Sequence, residues 1–214
     1  MKVLIIGAHG KVGHLLIGEL QSRNIDFVAG LRSQEQIKAY NENNNIETQF
    51  IDLTASLDNI KDSIEASGAD VIVFTAGAGG AGSDLTLEID LDGAIKTMMV
   101  AEAIGIKRYI MVSSVFSDNR SKWDASGIKP YMIAKHYADD HLRGSNLDYT
   151  IIHPGSLTNE DGTGKIKLLN SNEVDSIPRV DVARALALII QNLSTIGKEY
   201  TFASGDQPEE EIFR

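Results

Sequence analysis

Short apolar runs of strand length alternate along this chain with longer stretches in which apolar residues recur at helical spacing. The apolar runs predict seven strands, near residues 2–6, 25–31, 47–51, 69–75, 107–113, 147–153 and 198–203. The helical stretches lie near residues 11–22, 33–40, 55–65, 84–104, 130–143 and 178–192. This alternation predicts an α/β fold in one domain over residues 1–214, with a doubly wound, mostly parallel sheet and helices on both faces.

Two of the predicted strands are apolar on both faces, as central parallel strands are: VIVFTA at 71–76 and YIMVSS at 109–114. The segments near 76–83, 115–127 and 155–176 are predicted loops. Each follows the carboxyl end of a strand, which is where ligands of doubly wound sheets bind.

The first strand runs directly into a turn with three regularly spaced glycines, Gly7-Ala8-His9-Gly10-Lys11-Val12-Gly13. A helix follows this turn, and a second strand follows the helix. This βαβ context favours a pyrophosphate cradle built from Gly7, His9, Gly10, Lys11, Val12 and Gly13, because free N–H groups and the helix dipole attract an anion there. The alternative is a tight turn that needs small residues only for packing.

The end of the second strand indicates which dinucleotide would bind. A carboxylate at this position would bind the ribose hydroxyls of NAD, but the strand ends in Gly30-Leu31-Arg32. The Arg32 guanidinium suits a 2′-phosphate, so the sequence favours NADP over NAD. In the alternative interpretation, Arg32 is a solvent-facing residue at the start of the next helix.

Two further strand ends supply candidate cofactor contacts. Asp52 and Leu53 follow the third strand, where a carboxylate and a backbone group could bind the edge of an adenine. Asp52 or Thr54 could equally be a helix N-cap. Ala76 and Gly77 follow the fourth strand and are small enough for the backbone to lie against a ligand, although small residues also suit a mobile loop.

A candidate catalytic group comes from the fifth strand and the helix after it. Tyr131 and Lys135 are four residues apart and share one helix face. A neighbouring ammonium group would lower the pKa of the phenol, which would make Tyr131 a usable acid or base for a carbonyl oxygen. Ser114, or Ser113 in its place, could hydrogen-bond to the same oxygen.

Together these residues resemble the atypical, single-domain branch of the short-chain dehydrogenase/reductase superfamily, close to NAD-dependent epimerase/dehydratase proteins. The resemblance spans nearly the whole chain and also includes GIKRYIMVSS at 105–114, HPG at 153–155 and IPRVDVARAL at 177–186. It implies a Rossmann-like fold, with Tyr131 as the acid/base, Lys135 as the anchor of the nicotinamide ribose and Ser114 as the residue that positions the carbonyl.

The chain differs from many such relatives at His153, where they have an arginine before the Pro-Gly turn. His153 could contact the nicotinamide region or the substrate, but we favour a hydrogen-bonded residue at a strand end. Trp123 could shield a ligand from water or anchor its loop.

Composition and charge narrow the function further. The formal net charge of −10 argues against nonspecific binding of nucleic acid and of anionic membranes. No cysteine is present, which excludes disulfides and thiolate metal sites, and no His and carboxylate set has convincing metal-ligand spacing. No apolar run is long enough to span a membrane, so we expect a cytoplasmic protein. The helix near 84–104 is either a dimer face or a cover for the sheet.

The resulting expectation is an NADP-dependent oxidoreductase that acts on a small carbonyl or alcohol. One alternative is a non-catalytic, NADP-binding redox sensor that acts through a protein partner. A small epimerase or isomerase is disfavoured because the segment available to bind a substrate is short.

Overall fold

The apolar run at the start of the chain forms the strand β1 (Lys2–Ile6), which pairs in parallel with a strand on each side. The computed structural model describes residues 1–44, 46–170 and 172–213. The other strands are β2 (Asp26–Leu31), β3 (Thr48–Phe50), β4 (Val71–Phe74), β5 (Arg108–Val112), β6 (Asp148–Pro154), β7 (Ser156–Thr158), β8 (Lys165–Leu168), β9 (Ser176–Pro178), β10 (Lys198–Ser204) and β11 (Gln207–Pro208).

The main sheet has the order β11-β8-β10-β6-β5-β4-β1-β2-β3. The strands from β10 to β3 are parallel, whereas β8 and β11 form an antiparallel edge. Strands β7 and β9 pair separately as a two-stranded ribbon. The predicted α/β fold with a mostly parallel sheet is therefore confirmed.

Helices cover both faces of this sheet. They are α1 (Lys11–Ser22), α2 (Gln34–Asn44), α3 (Leu57–Ala66), α4 (Ser83–Leu85), α5 (Ala94–Ile104), α6 (Arg120–Trp123), α7 (Lys129–Arg143), α8 (Arg179–Gln191) and α9 (Glu209–Ile212). A π-helical segment, Thr86–Gly93, joins α4 to α5.

The side chains of β1 alternate between two hydrophobic cores. Val3 and Ile5 pack with apolar residues of α1, α2 and α8 on one face. Leu4 and Ile6 pack with residues of α3, α5 and α7 on the other face. A strand buried on both sides needs apolar residues at every position, which is why this run is continuous rather than alternating.

Three predicted segments differ from the structure. The predicted loop 155–176 contains β7, β8 and the start of β9, and the predicted loop 115–127 contains α6 and a 3₁₀ turn, Asp124–Ser126. The prediction missed β8 because Ile166 is its only buried residue, which leaves no repeating pattern. The single helix predicted near 84–104 is interrupted by the π-helical segment.

The turn between β1 and α1 approaches β4 closely. Gly7 has a φ of +91°, and an added Cβ would lie 2.6 Å from the backbone of Ala76. At Gly13, an added Cβ would lie 2.5 Å from the carbonyl oxygen of Gly7 and 2.9 Å from Oγ1 of Thr75. Any side chain at either position would force α1 away from β4.

The helix α1 offers a matched pair of glycines that tests this close packing. We expect Gly13→Ala to lower the free energy of unfolding by about 1–3 kcal/mol, because the new methyl group overlaps fixed backbone atoms. We expect Gly18→Ala to raise it by about 0.5–1 kcal/mol, because Gly18 is exposed with no heavy atom within 4 Å of an added Cβ. Denaturant unfolding of the two variants measures both changes, and equal effects would contradict the role of Gly13.

Candidate functional site

The candidate residues gather at one edge of the sheet because parallel strands end together there. The glycine turn follows β1, Arg32 follows β2, Ala76 and Gly77 follow β4, and Ser114 follows β5. In doubly wound sheets this carboxyl edge is where ligands bind.

The glycine turn presents backbone groups to this edge. The Gly10 amide donates to the carbonyl oxygen of Gly7 at 2.9 Å, which closes the turn. No side chain caps the N-terminus of α1, so its first amides remain available to a ligand. The His9 and Lys11 side chains are exposed, whereas the Val12 side chain is buried in the core.

Arg32 lies exposed at the end of β2. Its backbone amide donates to Oε1 of Gln36 at 3.2 Å. Its guanidinium has no hydrogen-bond or ion-pair partner among the residues that the structure describes. An exposed, unpaired guanidinium at this position is compatible with a phosphate ligand.

Asp52 holds a turn after β3 rather than a helix end. Its Oδ1 accepts hydrogen bonds from the amide and the hydroxyl of Thr54, at 2.9 and 2.7 Å. The N-cap of α3 is Ser56, whose Oγ accepts from the Asn59 amide at 3.3 Å, so the N-cap expectation for Asp52 or Thr54 is wrong. The neighbouring Leu53 side chain is buried, so only its backbone could contact a ligand.

The segment after β4 is held by Asp90, a residue of the π-helical segment. Ala76 packs against Gly7, and Gly77 lies so close to Asp90 that an added Cβ would be 2.9 Å from Oδ1. The Ala78 amide donates to Oδ2 of Asp90 at 2.8 Å, whereas the buried Oδ1 has no partner within the described chain.

The end of β5 meets the first turn of α7 at a pair of hydroxyl groups. The hydroxyl of Ser114 donates to the carbonyl oxygen of Val115 at 3.4 Å. Ser114 and Tyr131 both line a cavity of about 360 Å³, together with Phe116 and Ile128. This pair can donate hydrogen bonds to a carbonyl oxygen that enters the cavity.

Lys135 lies one helical turn beyond Tyr131 and is 1% exposed. Its Nζ lies 3.8 Å from Sδ of Met111 and 5.8 Å from the centre of the Phe74 ring, with no oxygen acceptor among the described residues. Burial raises the pKa of Asp90 and of Asp139, and the charge of Lys135 acts in the opposite direction on both carboxyl groups. A buried ammonium with spare donors fits a ligand that brings hydroxyl oxygens.

The expected lowering of the Tyr131 pKa by Lys135 is wrong. Burial raises the pKa of Tyr131 above its usual range, and the negative charges of Asp90 and Asp139 raise it further. The Ser114 hydroxyl acts in the opposite direction but does not outweigh them. Tyr131 is protonated at neutral pH, as an unperturbed tyrosine is, and its phenol is a weaker acid than usual.

Behind this pair lies a buried polar network centred on Asp139. Its Oδ2 accepts hydrogen bonds from the hydroxyls of Ser113 and Ser117. Because Ser117 donates to Asp139, its oxygen accepts from Nδ1 of His153 at 3.1 Å, and Nε2 of His153 lies 3.0 Å from Oε2 of Glu199. Both ring nitrogens therefore donate, which requires a positively charged imidazole. These contacts agree with a hydrogen-bonded strand-end role for His153.

The pKa values of this network agree with that charge. Burial alone would lower the pKa of His153, but the hydrogen bond to Glu199 and the charges of Asp139, Glu199 and Asp118 raise it overall. Burial would raise the pKa of Glu199, but hydrogen bonds from Arg143 and His153 lower it to about 2.

Asp118, His153 and Glu199 lie close enough together to hold a cation. The guanidinium of Arg143 already bridges the two carboxylates, because it donates to Asp118 and to both oxygens of Glu199. These groups form an ion-pair network in which the Arg143 guanidinium takes the place that a cation would have.

Two cavities open at this edge and differ in chemistry. The larger one, of about 900 Å³, is called the polar cavity and lies between α1 and α8. Its charged and ionisable lining residues are His9, Lys11, His14, Glu160, Asp161, Arg179 and Arg184. The smaller one is called the apolar cavity. Its lining residues are Ser113, Ser114, Val115, Phe116, Ser126, Ile128, Tyr131, Met132, Pro154, Gly155, Ser156, Leu157 and Val174.

Trp123 anchors the segment that lines the apolar cavity. Its indole is buried, and Nε1 donates to the carbonyl oxygen of Phe116 at 3.0 Å. Phe116 has a φ of +68°, an uncommon conformation for a residue with a side chain. The structure therefore supports the anchoring interpretation of Trp123.

Sequence reasoning missed two buried carboxylates of the site. Asp139 could have been found, because residues 131, 135 and 139 repeat every four positions and share one helix face. Asp90 gave a weaker signal, because it is one of three acidic residues in the short segment 86–93 and nothing in the sequence separates it from Glu88 and Asp92.

The free amides at α1, the glycines that admit close approach and the spare donors of Lys135 fit a bound dinucleotide. Fold and turn together define a dinucleotide-binding protein of the Rossmann type. Residues 7–193 match the family model described as NAD(P)H-binding, and the chain belongs to that family.

Several similar proteins span the whole length of the chain. The uncharacterized sugar epimerase YhfK of Bacillus subtilis is 40% identical over 215 residues, which cover 100% of this chain and 99% of that protein. A Bacillus halodurans protein, provisionally named an NAD-dependent epimerase/dehydratase, has a TM-score of 0.90 and 39% identity, with 100% and 98% coverage. The oxidoreductase ylbE of Lactococcus lactis has a TM-score of 0.88 and 34% identity, with 100% and 95% coverage.

Within the described ranges, every helix is too short or too polar to cross a membrane.

The charged state of His153 gives a testable pH dependence. A raised pKa in the folded protein means that the stabilisation is complete below the unfolded pKa of about 6.5 and is lost as pH rises through the folded value. We expect the free energy of unfolding to fall more steeply above about pH 6.5 in the wild type than in His153→Gln. Denaturant unfolding across the pH range measures both curves, and parallel curves would rule out a charged His153.

Proposed function

We propose that this protein is an NADP-dependent oxidoreductase of the short-chain dehydrogenase type that reduces a small carbonyl compound. The observation that carries the proposal is the Ser114–Tyr131 hydroxyl pair, which faces a cavity at the same sheet edge as the glycine turn. Hydroxyl donors beside a dinucleotide turn are the groups that carbonyl reduction requires.

In this proposal the amides at the start of α1 bind the cofactor diphosphate, and Gly7, Gly10 and Gly13 allow its close approach. The exposed His9 and Lys11 flank the same site. Ala76 and Gly77 line the path toward the nicotinamide, and Lys135 binds the ribose hydroxyls with its spare donors. Asp52 and the backbone of Leu53 lie at the adenine end.

The bound cofactor supplies the hydride that adds to the carbonyl carbon. Ser114 orients the carbonyl oxygen, and Tyr131 donates its phenolic proton to that oxygen to complete the alcohol. The phenol of Tyr131 is protonated before the reaction, and its raised pKa means that proton transfer needs a nearby positive charge, which Lys135 would supply.

The names of the relatives suggest an epimerase as a second candidate. An epimerase would need a transient carbonyl intermediate and room for the substrate to present both faces. The short segment between β6 and α8 argues against this candidate, because it supplies only the small β7–β9 ribbon and the β8 edge.

Arg32 tests the choice of NADP over NAD. We expect Arg32→Ala to weaken NADPH binding by about 10- to 100-fold, because a charge-assisted hydrogen bond to the 2′-phosphate contributes about 1.5–3 kcal/mol. NADH binding should not change. Calorimetry with both cofactors measures this difference, with Lys38→Ala as the control because Lys38 is an exposed cation of α2. Equal losses for both cofactors would contradict the 2′-phosphate contact.

Tyr131 tests the proton donor. We expect Tyr131→Phe to lower kcat for carbonyl reduction by about 10²- to 10⁴-fold, while the Kd for NADPH stays within about threefold of the wild type. The absorbance of the reduced cofactor measures turnover over a carbonyl panel.

Tyr137→Phe is the control for this experiment, because Tyr137 is an exposed tyrosine of the same helix. Tight NADPH binding with no turnover of any carbonyl by the wild type would instead support a redox sensor.

A further inference from the structure

The apolar cavity is lined mainly by hydrocarbon beyond the Ser114–Tyr131 pair. Phe116 and Met132 form its inner wall, and Ile128, Leu157 and Val174 surround the mouth. Ile128 is 47% exposed and Val174 is 55% exposed, so these two side chains are left in water at the mouth. A ligand with an apolar body would cover them and gain the free energy of burying that surface.

Most hydroxyl groups of the apolar cavity already have partners. Ser113 donates to Asp139. Ser126 donates to the carbonyl oxygen of Trp123 at 2.7 Å and accepts from the Ile128 amide at 3.1 Å. Ser114 donates to the carbonyl oxygen of Val115 at a long 3.4 Å. Among the described lining residues, the hydroxyls that remain to meet a ligand are those of Ser114, Tyr131 and the exposed Ser156.

No Asp, Glu, Lys, Arg or His occurs among the described residues that line this cavity. A carboxylate or phosphate bound there would lose its hydration without gaining a counterion, which costs several kcal/mol. A sugar would bring more hydroxyls than the hydroxyls of Ser114, Tyr131 and Ser156 can meet, and each one buried without a partner costs about 1–3 kcal/mol.

The polar cavity differs in that charged side chains line it. Lys11 and Arg179 are among them, and neither forms an ion pair with any residue that the structure describes. His9 of the glycine turn also lines this cavity, so the cavity adjoins the region assigned to the cofactor diphosphate. Negatively charged groups of a bound ligand could therefore bind in the polar cavity, which is separate from the apolar cavity.

We propose that the substrate is an uncharged ketone or aldehyde whose only polar group is the reacting carbonyl and whose body is aromatic or branched aliphatic. This inference rests on the proposed function, because it assigns the apolar cavity to the substrate of that reaction. It separates this chain from the sugar substrate that the name of YhfK suggests for that relative.

Ligand binding to the protein saturated with NADP⁺ tests this inference without turnover. The probes are cyclohexanone, acetophenone, 4-acetylbenzoate and fructose, which separate an apolar body from added charge and from added hydroxyls. Trp123 is the only tryptophan and holds Phe116 in place, so its fluorescence reports occupancy of the cavity. We expect acetophenone to bind at least about 100-fold more tightly than 4-acetylbenzoate, because the unpaired carboxylate costs several kcal/mol.

A matched pair of lysine substitutions locates the binding. We expect Val174→Lys, at the mouth of the cavity, to shift the ratio of the two dissociation constants by about fivefold toward 4-acetylbenzoate, the size of a partly exposed ion pair. Leu193→Lys is the control, because Leu193 is 69% exposed and lies outside the cavity lining. Both positions are exposed, so neither change disturbs the core.

Each outcome is decisive. The inference is supported if acetophenone binds more tightly than 4-acetylbenzoate and fructose, and if Val174→Lys but not Leu193→Lys shifts the ratio of the acetophenone and 4-acetylbenzoate dissociation constants. Equal or tighter binding of 4-acetylbenzoate or fructose overturns it, and so does the failure of both apolar ketones to bind the NADP⁺ complex. Failure to bind NADP⁺ at all overturns the proposed function itself, which calorimetry of the cofactor alone distinguishes.

Discussion

The close approach of the β1–α1 turn to the end of β4 is the constraint on which the site depends. Gly13 and Gly7 pack against each other and against Thr75 and Ala76 with no room for a Cβ. This contact sets where the first amides of α1 point and how far the segment after β4 lies from them. Because β4 pairs with β5, the same contact also fixes the distance from the glycine turn to Ser114.

Buried charges beside the hydroxyl pair are balanced within the protein. Asp90, Lys135, Asp139 and His153 are all at most 5% exposed, and their formal charges sum to zero when each is ionised. Removing the charge of one member would leave the others uncompensated in a region of low dielectric, which is costly. Lys135 takes part in this balance although its only hydrogen-bond acceptor among the described residues is Sδ of Met111, and His153 completes the balance from β6.

The parallel strands could be predicted from the sequence because strands such as β1 and β4 are short apolar runs that are bounded by turn residues. Ser114, Tyr131 and Lys135 could be placed together because Ser114 ends a predicted strand, and Tyr131 and Lys135 share one face of the helix that follows it. The strand β8 could not be predicted, because it has only one buried residue and its pairing with β10 is a long-range contact. The pKa of Tyr131 also escaped prediction, because Asp90 comes from a distant segment whose bend at the π-helix no local pattern reveals.

The same buried charges bear on the direction of the proposed reaction. Oxidation of an alcohol needs Tyr131 as a phenolate, which burial and the charges of Asp90 and Asp139 disfavour at neutral pH. Reduction starts from the protonated phenol, which these groups favour, and leaves a negative charge on Tyr131 until the phenol takes up another proton. In the proposed mechanism, the ammonium of Lys135, one turn away on α7, offsets that charge. The proposed electrostatic role of Lys135 therefore falls in the reaction rather than in the resting pKa of Tyr131.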